Sequence, residues 1–171
     1  MTLFNLTDLA ATLPRNARLI GLDPGSKIIG IALSDVGRRL ATPYGAMKRG
    51  KLADAAATIL DIARKEGAAA LIIGLPLSMD GSFGPAAQAA RDWAHAIARE
   101  TGLPVAMMDE RLSTGLPVAM MDERLSSAAV NRALIEADLS RAKRAGRVDA
   151  AAASYMLQGA LDLLNEPRPE E

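Results

Sequence analysis

The chain has 171 residues, and its twenty lysines and arginines balance twenty aspartates and glutamates. A uniformly basic nucleic-acid-binding surface is therefore excluded, although local basic patches are not. The absence of cysteine and the single histidine exclude disulfides, thiolate chemistry and metal sites built from several cysteines or histidines. The length suits one domain covering residues 1–171, with a core built from aliphatic side chains, because only 3% of the residues are aromatic.

The amino-terminal segment does not have the pattern of a secretory signal. It reads MTLFNLTD, without a basic stretch followed by an apolar one. No apolar run in the chain approaches the roughly 18 residues that a membrane-spanning helix needs. The sequence therefore predicts a cytoplasmic protein that does not associate with a membrane.

Hydrophobic patterning predicts an α/β fold, with elements that follow one another in short segments. In chain order they are an amphipathic segment at 6–13, strands at 18–23, 27–34 and about 40–47, a helix from 52 to Gly67, a strand at 69–74, a helix through Ala90 and Ile97, a strand from a repeated segment, a helix from Ser127, and a helix over 148–164. Early strands joined by turns and later strands joined by helices predict a mixed sheet flanked by helices, with three antiparallel strands followed by parallel ones.

A perfect tandem repeat interrupts this pattern. Residues 101–113 read TGLPVAMMDERLS, and residues 114–126 repeat the same thirteen letters. Only one copy of the apolar segment LPVAMM can fill the next strand position in the sheet. We expect the second copy to fill it, because Glu123 then stays joined to its following helix and the extra residues lie away from the functional groups; Glu110 is the corresponding residue of the first copy.

The alternative placement of the repeat is close in free energy. Each doubling of a loop's length costs only about 0.6 kcal/mol in closure entropy, so the first copy could fill the position instead. The surplus copy would expose apolar side chains unless it packs, adds an edge strand or swaps between chains. We therefore expect a monomer or a weak homodimer, with the repeat as the segment that could swap.

Two acidic residues lie where predicted strands end. Asp23 closes the first strand, at the carboxyl edge of the sheet where ligands commonly bind, although an Asp before Pro-Gly also forms turns. Glu123, or its copy Glu110, follows a buried strand directly, although it could also be a solvated surface charge.

A third acidic residue, Asp149, is predicted to open the last helix. It shares one helix face with three apolar residues, Ala153, Met156 and Ala160. A first-turn acid favours the helix dipole, which would explain it without any function. An acid on a packing face is nevertheless costly unless it is paired or binds a cation.

Three carboxylates at one edge of a sheet repel each other unless a cation neutralises them. Oxygen ligands select hard ions such as Mg²⁺ or Mn²⁺. Two such ions about 3.5–4 Å apart can activate a water molecule and stabilise the leaving oxygen of a phosphodiester. These residues are therefore candidates for metal-assisted hydrolysis of a polynucleotide.

Two groups of basic residues accompany the acidic ones. The first group is expected to lie in a loop just before Asp149 and to contact phosphates; it comprises Arg141, Lys143, Arg144 and Arg147. The second group flanks the third strand and comprises Arg38, Arg39, Lys48, Arg49 and Lys51. Such runs are also typical of solvated loops. Because aromatic residues are few, we expect recognition of the nucleic-acid backbone and shape rather than base stacking.

Four motifs in this order resemble the YqgF family of bacterial pre-16S rRNA nucleases, also described as Holliday-junction-resolvase-like proteins. They are GLDPGSKIIGIALSD at 21–35, IGLPLSMDG at 73–81, DERLSS at 122–127 and VDAAAASYMLQ at 148–158. The resemblance extends over about residues 18–164. Pro24 and Ile28 stand where the family more often has other residues, and the thirteen-residue duplication is not part of the family pattern.

The resemblance implies a ribonuclease-H-like fold and a metal-dependent endonuclease. It implies that Asp23, the glutamate of the Asp-Glu-Arg motif and Asp149 form a catalytic triad that binds divalent metal, Mg²⁺ or Mn²⁺. It also implies cytoplasmic maturation of the 5′ end of 16S rRNA, with structured RNA as the partner.

Three alternative functions stay open at this point. The chain could resolve branched DNA as a Holliday-junction resolvase. It could instead be a non-catalytic nucleic-acid-binding or ribosome-assembly factor, which the duplication makes more credible. The Asp-Pro-Gly-Ser-Lys segment followed by Gly30 is also similar to the phosphate loop of sugar-kinase and actin-like ATPases, but those proteins need two such domains.

Overall fold

The structure is a computed structural model that describes residues 3–76, 84–109 and 141–166, with the backbone alone for 141–145. Its elements are α1 (Leu6–Thr12), β1 (Arg18–Pro24), β2 (Ile28–Ser34), β3 (Ala41–Lys48), α2 (Leu52–Glu66), β4 (Ala68–Leu75), α3 (Pro85–Thr101), β5 (Val105–Asp109) and α4 (Arg141–Leu164). None of the helices in these ranges is long and apolar enough to cross a membrane.

The described strands form one mixed sheet in the order β3-β2-β1-β4-β5. β1 pairs with β2, and β2 with β3, in antiparallel fashion, whereas β4 runs parallel to both β1 and β5. This arrangement confirms the predicted mixed sheet. The carboxyl ends of β1, β4 and β5 therefore meet at one end of the sheet, together with the start of β2 and the end of β3.

Two apolar cores cover the two faces of the sheet. Alternate residues of β1 divide between them: Ile20 and Leu22 pack on the side of α2 and α3, while Leu19 packs on the side of α4. Gly67 closes α2 in the left-handed conformation, as the sequence predicts, and Gly102 closes α3 in the same way.

The last helix is longer than the sequence predicts. α4 begins at Arg141, not at 148, so the four basic residues expected in a loop belong to its first turns. Asp149 consequently lies eight residues inside the helix and does not open it. The dipole effect is confined to the first turn, so it does not explain an acid at this position.

The first copy of the repeat supplies the fifth strand. Val105 pairs with Leu71 and Asp109 with Leu75, both in parallel register. The expectation that the second copy fills this position is therefore wrong for the part of the chain that the structure describes. The physical reason is continuity: the first copy follows α3 through the short turn at Gly102, whereas the second would need thirteen further residues before entering the sheet. The predicted helix from Ser127 lies outside the described residues.

Candidate metal and nucleic-acid site

Asp23 lies at the end of β1 on the face of the sheet that α4 covers. The alternation along β1 puts it on the same side as Leu19, which belongs to the core beneath α4. A side chain built on Gly74 of the neighbouring strand would have its Cβ 3.7 Å from Asp23 Oδ1 and 3.4 Å from Met156 Cγ of α4. The carboxylate therefore points between β4 and α4.

Gly30 determines where Asp149 lies. It is the cross-strand partner of Asp23. A Cβ on Gly30 would lie 2.0 Å from the carbonyl oxygen of Asp149, far inside any real contact distance. The backbone of α4 thus lies directly on the strand pair at this point, and it brings Asp149 next to Asp23.

A glycine inside an apolar strand often marks a close backbone approach, and β1 and β2 each contain such a glycine beneath α4. A Cβ on Gly21 of β1 would lie 2.8 Å from Leu157 Cβ, farther along α4. Gly21 and Gly30 together let α4 lie close to the sheet along its length. The sequence alone gave no role to Gly21 and likened Gly30 only to part of a phosphate loop, although their positions in the runs RLIGLD and IIGIAL indicate a close backbone approach.

The two carboxyl groups are electrostatically coupled. Burial, and secondly the negative charge of Asp149, raise the pKa of Asp23. Burial also raises the pKa of Asp149. The two negative charges repel each other. The effect of this repulsion on the pKa falls on Asp23, because it is the more buried group. Within the described ranges neither carboxylate forms an ion pair with a lysine or arginine, so the charge of this pair is not compensated there.

The turn-forming explanation for Asp23 does not match the turn that follows it. The hydrogen bond that closes the turn runs from the Gly25 amide to the Ile28 carbonyl, at 2.9 Å. Within the described ranges the Asp23 carboxylate accepts no hydrogen bond from that turn. Its position therefore needs another explanation than local backbone capping.

The glutamates of the repeat, Glu110 and Glu123, lie outside the described residues. No group of three or more acids or histidines suited to a metal occurs among residues 3–76, 84–109 and 146–166. Two of the three predicted carboxylates are therefore brought together, and the position of the third stays a prediction.

The basic residues around β3 divide into two sets. Arg38 and Arg39 lie at the far end of the sheet, where the Arg38 guanidinium donates to the carbonyls of Pro14 and Ala17 at 3.1 and 2.8 Å. Lys48, Arg49 and Lys51 lie instead at the end that holds Asp23. Only the second set can serve the candidate site, because the first is a full strand length away.

Arg49 fastens the turn that follows Asp23. Its guanidinium donates to the Gly25 carbonyl at 2.9 Å, and its backbone amide donates to the Lys27 carbonyl at 2.9 Å. Its guanidinium carbon also lies 5.9 Å from the centre of the Trp93 ring on α3. Arg49 therefore joins the turn to α3, a role that its membership of a basic run did not reveal.

Of the first basic group, the structure describes only the Arg147 side chain, which is exposed. The side chains of Arg141, Lys143 and Arg144 lie outside the described part of the helix. Their contact with nucleic acid stays a prediction.

A five-stranded mixed sheet with two neighbouring carboxylates under the last helix defines the ribonuclease-H-like class of α/β proteins. The same fold occurs in Thermus thermophilus RuvC in complex with a Holliday-junction substrate, with a TM-score of 0.50, 15% identity and coverage of 84% of this chain and 91% of that one. It also occurs in the yeast mitochondrial Holliday-junction resolvase Ydc2, with a TM-score of 0.51, 10% identity and coverage of 93% and 85%. At 15% and 10% sequence identity, the similarity of these two structures to this chain concerns the fold alone.

The chain belongs to the RuvX family, whose model is described as Holliday junction resolvase and matches residues 17–116 and 113–163. The two matches meet at the boundary between the repeat copies, so the duplication interrupts the family pattern. A protein of Acidiphilium cryptum (strain JF-5) named "Putative pre-16S rRNA nuclease" is 90% identical over 171 residues, the whole of both chains. A protein of the same name from Gluconacetobacter diazotrophicus is 57% identical over 167 residues, covering 97% of this chain and 100% of that one.

Proposed function

We propose that this protein is a metal-dependent endonuclease that hydrolyses phosphodiester bonds in structured RNA and acts in maturation of the 5′ end of 16S rRNA in the cytoplasm. The observation that carries the proposal is the uncompensated pair Asp23 and Asp149 at one end of the sheet. Family membership and the names of the relatives support the substrate class.

The carboxylate pair suits a divalent cation. Two partly buried carboxylates that repel each other are stabilised when a hard cation lies between them, and their oxygens are the ligands that Mg²⁺ and Mn²⁺ prefer. Asp23 and Asp149 would hold the ion, which when bound lowers the pKa of water and polarises phosphoryl oxygens. The protein's part is to keep both carboxylates close, which the Gly30 contact does, while Arg49 holds the turn that follows Asp23.

We propose Glu110 as the third carboxylate, and not Glu123 as the sequence favours. Ala106 and Met108 of β5 belong to the core beneath α4, while Val105 and Met107 pack on the other face. Glu110 directly follows β5 in the chain, as the third carboxylate is expected to follow the strand that enters the sheet. Glu110 itself lies outside the described residues, and the proposal rests on the register of the strand that precedes it.

The test is cleavage of a 16S precursor RNA by the full-length protein with Mg²⁺, with Mn²⁺ and with chelator. We expect Asp23→Asn and Asp149→Asn each to reduce the rate by more than about 100-fold, because each removes a proposed metal ligand. Asp61→Asn is the matched control, since Asp61 is an exposed acid of α2 on the opposite face. Cleavage that persists in chelator, or in both variants of the pair, would refute the proposal.

The repeat is tested by one pair of substitutions in the same assay. We expect Glu110→Gln to abolish cleavage and Glu123→Gln to preserve it. The reverse result would show that the second copy supplies the third carboxylate.

A four-way DNA junction serves as the second substrate, because the family model carries the description Holliday junction resolvase. Faster cleavage of the junction than of the RNA would favour the resolvase function. Tight binding of the RNA without cleavage under any metal condition would favour a non-catalytic assembly factor.

A further inference from the structure

Lys48 lies on the same face of the sheet as the carboxylate pair. The preceding residues establish the alternation: Met47 packs against the core beneath α2 and α3, while a Cβ on Gly146 of α4 would lie 3.7 Å from Ala46 Cβ. Lys48 follows Met47 in the strand and so returns to the α4 face. It ends β3, at the end of the sheet where Asp23 lies.

The register of the sheet gives the separation of Lys48 from the site. Lys48 pairs with Ile28, two residues before Gly30, and Gly30 pairs with Asp23. Lys48 is therefore separated from Asp23 by two interstrand spacings and by two residues along the strand direction. With standard strand spacings, this corresponds to about 12 Å between the two Cα atoms. A long side chain at this position can contact a polymer bound at the carboxylates, but not the carboxylates themselves.

Arg147 lies on the same side of the site. It precedes Gln158 by eleven residues, or three helical turns, so both project from one side of α4. Gln158 accepts a hydrogen bond from the Ala41 amide and donates to the Arg39 carbonyl, which fixes that side as the one facing β3. Lys48 and Arg147 are both exposed, and within the described ranges neither side chain has a hydrogen bond or ion pair.

The strand ends on the other side of the site differ from the end of β3 in the part of the chain that the structure describes. In the described residues, β4 ends in Leu75 followed by Pro76, and β5 ends in Asp109. Neither strand end carries a lysine or arginine. A polyanion at the carboxylate pair is therefore attracted toward the basic residues at the end of β3.

We infer that the bound RNA strand leaves the carboxylate pair across the end of β3, where Lys48 contacts a phosphate flanking the scissile one and Arg147 borders the same path. This inference rests on the proposed nuclease function for the identity of the polymer. It assigns Lys48 a substrate-binding role that does not depend on base identity, because the contact is to the backbone.

The experiment measures binding of a fluorescently labelled 16S precursor RNA as a function of salt, in the Asp23→Asn background so that cleavage does not interfere. We expect Lys48→Ala to reduce the slope of log affinity against log salt by about 0.7 to 0.9, the effect of one lost phosphate contact. In the otherwise native protein, the same change should raise KM and leave kcat unchanged, because the contact exists equally before and during the reaction.

The matched control is Lys65→Ala, which removes the same charge from the last turn of α2 on the opposite face. A slope that Lys48→Ala leaves unchanged, or that Lys65→Ala reduces equally, would overturn the inference. A slope reduced by Lys48→Ala alone, in a protein that cleaves no RNA, would support this path and refute the nuclease function. Thermal unfolding of both variants checks that these exposed substitutions leave the fold intact.

Discussion

Replacing Gly30 with alanine tests how the fold brings the two carboxylates together. The added Cβ would meet the Asp149 carbonyl oxygen at 2.0 Å, and real Cβ contacts essentially never fall below 3.0 Å. The obstacle is the backbone of a helix packed on the sheet, which cannot rotate away as a side chain would. α4 must therefore retreat from β2 by at least about 1 Å at Asp149.

A displacement of this size should affect catalysis more than stability. Misplacing a catalytic group by about 1 Å can cost about 100-fold in rate. Overpacking of this kind typically costs about 1–3 kcal/mol in the free energy of unfolding. We expect Gly30→Ala to remain folded and to lose about 100-fold in kcat, with weakened binding of the divalent cation.

The assay combines RNA cleavage under saturating substrate with thermal unfolding of the same samples. Gly45→Ala is the neutral control, because a Cβ on this β3 residue meets nothing within 4 Å. Gly21→Ala is the stability control, since it presses on Leu157 two turns away from Asp149. A folded Gly30→Ala protein that cleaves RNA at the native rate would refute the idea that this glycine positions Asp149.

Three further predictions follow from the site and the repeat. The pKa of Asp23 is raised above its ordinary 3.8, so as the pH rises above that value the native state binds more protons than the unfolded chain and its stability falls. In the absence of metal, Asp23→Asn should therefore have a higher melting temperature than the native protein at pH 7. A difference in melting temperature that did not shrink at pH 3 would contradict this. Arg49→Ala should lower kcat about 10-fold, because it removes the hydrogen bond that holds the turn at Gly25, and Arg49→Lys, which keeps a donor, should recover part of the rate. Equal rates in the native protein and both variants would show that this hydrogen bond does not support catalysis. Deleting residues 114–126 should leave cleavage at least as fast, and an inactive deletion protein would show that the second copy is needed.

The mixed sheet could be predicted, and two acids could be singled out as candidates, because both depend on local patterns. Short turns force antiparallel neighbours, and helical connections favour parallel ones, so the mixed sheet followed from the spacing of apolar runs. Asp23 was identifiable because it ends an apolar strand, and Asp149 because an acid on a packing face is costly. The start of α4 could not be predicted in the same way, because its first two turns are polar and carry no apolar periodicity.

The amino-acid sequence alone indicated the class of fold and the family, since these depend on composition, periodicity and motif order, and it predicts an oxygen-rich ligand set. The tertiary structure decided which of two identical strands enters the sheet, because thirteen repeated letters have identical propensities and only chain connectivity distinguishes them. It also decided the division of the basic residues between the end of the sheet that holds Arg38 and the end that holds Asp23. Arg38 lies just before the start of β3 and Lys48 ends it, so these two residues of one basic run lie at opposite ends of the sheet.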